Sequence, residues 1–182
     1  MTIAVSSVSS MYDLATELLE AVIAAMATTE EGIANLSSYV ALGEPALASN
    51  CDQAIVQLTG LGEGATNPTT PTEVTGIRHS RGRLNLVGLA AYALRCQPIT
   101  ENNSQTTMLP SFETLQEYAK ISYEDGWAIW NLINRAINSE SLFNGPCTIV
   151  HFDGGIPFTP QAGLGGWLFR LRVELNGYDP LA

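Results

Sequence analysis

The chain predicts an α+β fold: a mixed, largely antiparallel sheet of four to five strands with two helices packed on one face. Three observations carry this expectation. A nearly unbroken apolar run at 84–98 reads as a central strand covered on both faces. Two long stretches, 11–26 and 112–138, repeat apolar residues at helical spacing. The stretch 167–176 alternates apolar and polar residues with a period of two. A chain of 182 residues suits one domain over 1–182. At that size roughly 70% of the unfolded surface can be buried, so the core needs no disulfide or metal.

Residues 1–9 read as a flexible tail. Ser10 and Asp13 then resemble an N-cap and its partner. Tyr12, Ala15, Leu18, Leu19, Val22 and Met26 follow at helical spacing. A short strand is expected at 38–42, stopped by Gly43 and Pro45. A second is expected at 51–59, with Ala54, Val56 and Leu58 on one face and Gln53, Ile55, Gln57 and Thr59 on the other. Residues 61–80 form a long loop rich in Gly, Thr and Pro.

In the run 84–98 both alternating sets are apolar at their centre, Gly88, Ala90 and Tyr92 in one and Val87, Leu89 and Ala91 in the other. Helix is the alternative, because Leu and Ala favour it. Gly88, the aromatic Tyr92 and the short length favour strand. A polar loop follows at 99–109. Pro110 and Ser111 open the longest helix, with Glu113 at the positive end of its dipole. Its expected buried face is Phe112, Leu115, Ala119, Ser122, Gly126, Ile129, Ile133 and Ala136, with Trp127 and Trp130 packing at the flanks. Gly126 allows close approach to the sheet or a kink. Strands at 146–152 and 167–176 close the chain, joined by a flexible or hairpin-like link, DGGIPFTPQAGLGG.

Charged residues make up only 14% of the chain and hydrophobic ones 46%. So plain a surface implies that partners cover part of it. The net charge of −10 excludes gripping DNA or an anionic membrane through the overall field. The start, MTIAVSSVSS, has no basic region and no long apolar core, so no signal peptide is expected. No run of about 18 apolar residues suggests a membrane span. Cys51, Cys96 and Cys147 are widely spaced without a CxxC pair. They are expected to be small buried apolar residues, reduced and free of zinc.

No catalytic constellation stands out, so no enzymatic activity and no cofactor are expected. GxSxG, HExxH and P-loop motifs are absent from the sequence. Gly60, Gly62 and Gly64 lack the lysine and helix that a phosphate cradle requires. His151 and Asp153 have the H-x-D spacing that puts both side chains on one face of a strand, without a third ligand. The end of the long loop gathers Arg78, His79, Arg81 and Arg83. These four, with Arg170 and Arg172 of the last strand, are the candidate partner or subunit interface, set against the plainer reading of a solvated loop end.

The segment YALRCQP at 92–98, the variable polar loop, and a proline-led helix carrying Ala119, Asp125 and Trp130 resemble the tail terminator proteins of long-tailed bacteriophages, in particular those infecting actinobacteria. VALGEPALASNCDQAIVQL at 40–58 and WLFRLRVEL at 167–175 extend the likeness, which covers roughly 12–175; the 61–80 loop does not match. The resemblance implies a non-enzymatic virion protein forming a ring, usually of six copies, at the head–tail junction, assembled in the host bacterial cytoplasm. Its implied partners are itself, the tail tube protein and the head–tail connector or stopper protein. Genomic DNA would pass through the ring without sequence-specific binding, and no membrane is involved. A head–tail stopper, a tail completion protein or a tube protein is the alternative. A small hydrolase using His151 and Asp153 is the alternative from another class.

Overall fold

The computed structural model of the chain describes residues 6–29, 36–47, 52–62, 86–97, 101–103, 106–108, 110–139, 142–143, 147–161 and 163–175. They form α1 (Ser6–Met26), β1 (Ser37–Leu42), β2 (Gln53–Gly62), β3 (Leu86–Cys96), β4 (Glu101–Asn103), β5 (Thr106–Met108), α2 (Phe112–Ser139), β6 (Cys147–Gln161) and β7 (Leu164–Leu175). Five strands make one sheet in the order β1-β2-β3-β7-β6. β1 runs parallel to β2, and every other pairing in that sheet is antiparallel. The fold is therefore α+β, with a mixed, mostly antiparallel sheet, as the sequence predicts.

β3 occupies the centre because it is apolar on both faces. Leu89 pairs with Leu58 of β2 on one side and with Leu171 of β7 on the other. Its helix-side residues Val87, Leu89, Ala91 and Ala93 join Leu18, Val22 and Met26 of α1, Ile129 and Ile133 of α2, and Phe169, Leu171 and Val173 of β7 in the main core. Each fully buried Leu, Ile, Val or Phe contributes about 1.5–3 kcal/mol. On the opposite face Ala41, Ile55, Leu94 and Leu164 are buried, with Tyr39, Tyr92 and Phe158 packed on them. α1 lies over β1, β2 and β3, and α2 over β3, β7 and β6. Ser111 caps α2, its hydroxyl oxygen accepting the Thr114 N–H at 3.2 Å.

Several expectations need correction. α1 begins at Ser6, so residues 6–9 of the expected tail are helical and Ser10 lies inside the helix. The spacing from Val8 to Met11 and Ala15 already continues the helical repeat. The polar stretch 99–109 contains a small hairpin, β4 with β5. The link expected to be flexible or hairpin-like takes the second form: β6 runs on to Gln161 and pairs with β7 as the far part of a long hairpin. Gly154 takes φ 77°, within the register shift between Phe152 and Gly155, where a side chain would be strained. Pro157 is tolerated because β6 is an edge strand. Cys96 is disulfide-bonded, contrary to the reduced state expected, while Cys147 is a half-buried thiol outside any disulfide. The expected 61–80 loop lies outside the described residues except for its first two positions, which end β2.

Candidate interaction surface

The charged centre of the domain is Arg95, in the apolar strand β3. Its Nε donates to Asp125 Oδ2 at 2.7 Å and its Nη2 to Asp125 Oδ1 at 2.9 Å, a two-pronged pair. Its Nη1 donates to Asp52 Oδ2 at 2.9 Å. The Thr29 hydroxyl donates to Asp125 Oδ1 at 3.0 Å. Arg95 is 6% exposed and Asp125 1%. Burial pulls the guanidinium down, but the hydrogen bonds and charges of Asp125 and Asp52 outweigh it and hold its pKa above the ordinary arginine value. Such an arginine keeps its proton and does no acid–base chemistry. The network instead ties the end of α1, the entry to β2, the centre of the sheet and α2 together. A charge inside an apolar strand must be paired, a signal present in the sequence that was not used for Arg95.

A second feature faces solvent. Tyr123, Trp127 and Trp130 of α2, with Trp167 and Phe169 of β7, line a groove of about 210 Å³. Gly126 and Gly155 complete its lining. Both are small because rings occupy their side-chain space: a Cβ on Gly155 would stand 2.8 Å from Phe169 Cε1. Trp127 and Trp130 stack with centroids 5.1 Å apart and planes 14° from parallel. They are 54% and 38% exposed, and Tyr123 is 63% exposed. The expectation that the two tryptophans pack at the flanks of the core is thus corrected. Phe112, Leu115 and Ala119, expected on the buried face, are exposed as well, whereas Gly126, Ile129, Ile133 and Ala136 are buried as expected. The first turns of α2, residues 112–117, are exposed throughout.

Of the expected interface residues, Arg78, His79, Arg81 and Arg83 lie outside the described residues. Arg170 is exposed and Arg172 half-buried, both on the β7 face turned away from the helices. Arg170 pairs across the sheet with Ala90, next to Tyr92, whose phenol donates to Gln57 Oε1 at 2.8 Å. Burial raises the Tyr92 pKa, Arg170 opposes that, and Glu44 adds to it. His151 Nε2 lies 2.5 Å from Asp153 Oδ1, so the H-x-D pair does meet on one face of β6. Both are more than a third exposed. Among the described residues no three His, Cys, Asp or Glu side chains gather as a metal site, and no helix is long and apolar enough to cross a membrane.

The surface is thus an exposed aromatic groove beside a buried ion-pair network. No family model, curated protein or solved structure matches the chain.

Proposed function

We propose that this chain is a structural virion protein of a long-tailed bacteriophage, whose ring terminates the tail tube and joins it to the head connector. The observation that carries the reading is the aromatic groove on α2. Four aromatic side chains more than a third exposed on one helix, three of them lining the groove, are an incomplete surface, since partners normally cover such patches. The segments that resemble tail terminators supply the identity of the assembly. Two residues within them, Arg95 and Asp125, form the buried pair that fixes α2 on the sheet. An acidic wall around a channel would let DNA pass without sticking, which agrees with a net charge of −10.

Native mass spectrometry and negative-stain microscopy of the purified protein test this. A closed ring, alone or on a tail tube, is the expected outcome. A strictly monomeric chain, also in the presence of tail tube, overturns it. Long cylinders of the chain itself would favour the alternative of a tube protein.

A further inference from the structure

We infer that Cys96 is bonded to Cys51, and that this bond and the Asp52–Arg95 ion pair form a two-part, redox-operated latch on one end of the sheet. The inference stands apart from the assembly reading above.

Elimination names the partner. The chain has three cysteines, Cys51, Cys96 and Cys147. Cys96 is disulfide-bonded and Cys147 stands outside any disulfide. Cys51, which lies outside the described residues, is the one partner left within the chain. The strand register agrees with this. β2 and β3 pair antiparallel with Gln53 opposite Leu94. One step further sets Asp52 opposite Arg95, and there Arg95 Nη1 reaches Asp52 Oδ2 at 2.9 Å. A second step sets position 51 opposite position 96. Residues directly opposite in an antiparallel pair stand about 4.5–5.5 Å apart between Cα atoms, inside the span that a disulfide bridges.

Asp52 gives the latch something to hold. Among the described residues it is the one non-glycine with a left-handed backbone, at φ 49°. A side-chain-bearing residue keeps such a conformation only where its surroundings hold it. Its carbonyl oxygen accepts the Ser37 N–H at 3.0 Å, where β1 begins, and its carboxylate takes Arg95 of β3. Asp52 therefore joins β1, β2 and β3. Successive side chains of a strand point to opposite faces, so Arg95 and Cys96 grip from opposite sides. Arg95 faces α2 through Asp125. Cys96 packs on the cluster of Ala41, Ile55, Leu94 and Leu164 on the other face.

The switching chemistry is thiol–disulfide exchange with a low-molecular-weight disulfide such as oxidised glutathione. One cysteine thiolate attacks a glutathione sulfur, forms a mixed disulfide and expels one glutathione thiolate. The other cysteine thiolate attacks the protein sulfur of the mixed disulfide and expels the second. The protein gives up two electrons and two protons, and two glutathione thiols gain them. Cys96 is only half-buried, which leaves the bond open to small thiols in the reverse direction. Reduction then leaves the ion pair as the remaining half of the latch. Bond and ion pair favour the same placement of Asp52, so each strengthens the other.

The test uses the purified full-length chain. Peptic peptide mapping without reductant should give Cys51 linked to Cys96. Cys147 linked to either, or Cys96 linked across two copies, overturns the pairing. Hydrogen exchange of the wild-type chain with and without a phosphine reductant reads the latch. Reduction should speed exchange about tenfold or more in peptides over 37–42 and 53–56, a usual size for coupling between two sites, and leave peptides over 129–136 of α2 unchanged. Equal exchange in both states, or protection lost across the whole chain, overturns the latch. Asp52→Asn removes the charge and keeps a residue that tolerates the left-handed backbone. In glutathione buffers its bond should open more easily, with the midpoint ratio of squared reduced to oxidised glutathione about tenfold lower than in wild type. An unchanged midpoint in the folded variant means that bond and ion pair act independently, and overturns the latch. If the variant does not fold, the exchange comparison on the wild-type chain decides alone.

Discussion

Gly126 of α2 lies against the indole of Trp167 in β7, so closely that a Cβ on the glycine would stand 2.6 Å from both Cε2 and Nε1. The same indole donates its N–H to the Ser122 carbonyl oxygen, one turn earlier on the helix, at 2.6 Å. The ring is therefore pinned from the polar side and cannot swing away to admit a side chain. Gly126→Leu should overpack this contact and destabilise by about 1–3 kcal/mol or more. Gly126→Ala should cost less, since alanine's helix propensity returns about 1 kcal/mol. Urea unfolding curves measure both. Wild-type stability for Gly126→Leu would mean that the helix does not approach the sheet here.

The sequence shows the frame of the fold because burial writes a period into it. β3 is apolar on both faces, and β7 alternates Phe169, Leu171 and Val173 with Leu168, Arg170 and Arg172. The C-terminal half of the buried α2 stripe was legible for the same reason. Its exposed stripe was not. Trp127 and Trp130 are as apolar as the core, and periodicity does not say which arc meets the sheet, whereas Phe112 and Leu115 lie on the expected stripe but in the first turns of α2, which are exposed. The far part of β6 was hidden by Gly154, Gly155 and Pro157, which signal loops in general but fit a bulged edge strand. Arg95 stands in the sequence as a charge in an apolar run but was not singled out there. Its partners were not legible, because they come from 30 and 43 residues away.

Three tyrosines make stability depend on alkaline pH. Burial is the main cause that raises Tyr39, Tyr92 and Tyr118 above their ordinary pKa; Tyr118 is opposed by its hydrogen bond with Gln97 and pushed further by Asp125 and Asp52. In the unfolded chain these phenols titrate near about 10. Between that value and the raised folded values the unfolded state binds fewer protons, so stability falls as pH rises. It is fully present below about pH 10 and is lost as pH climbs through the folded pKa values. Urea midpoints should therefore drop from pH 9 to pH 11, and Tyr118→Phe should flatten the drop. A native tyrosinate absorbance titration that overlays the denatured one would remove the basis for this.

The cysteines are expected to behave unequally. Cys96 is disulfide-bonded at the end of the central strand, and Cys147 is a half-buried thiol outside any disulfide at the start of β6. Alkylation of the non-reduced native protein should label Cys147 and leave Cys96 untouched, and labelling of Cys96 should require reductant. Peptide mass mapping reads both. Labelling of Cys96 without reductant would show that this bond does not form in the purified chain.

The Arg95–Asp125 pair should be the most costly polar contact to break and a cheap one to replace. Both side chains are nearly withdrawn from water, so each is tolerated only while the other neutralises it. Asp125→Ala leaves the guanidinium with Asp52, which is 20% exposed at its side chain and holds it through a single nitrogen. Arg95→Met strands a buried carboxylate that keeps only the Thr29 hydroxyl among the hydrogen bonds above. Either change should cost about 3–5 kcal/mol. The double variant Arg95→Met, Asp125→Leu removes both charges and fills their space, so its loss should be much smaller than the sum of the single losses. The coupling, read from urea unfolding of the four proteins, should be of opposite sign to the losses and about 2 kcal/mol or more. Additive single effects would mean that the two side chains do not share their stabilisation, and the fastening of α2 to the sheet would then lie in apolar packing alone.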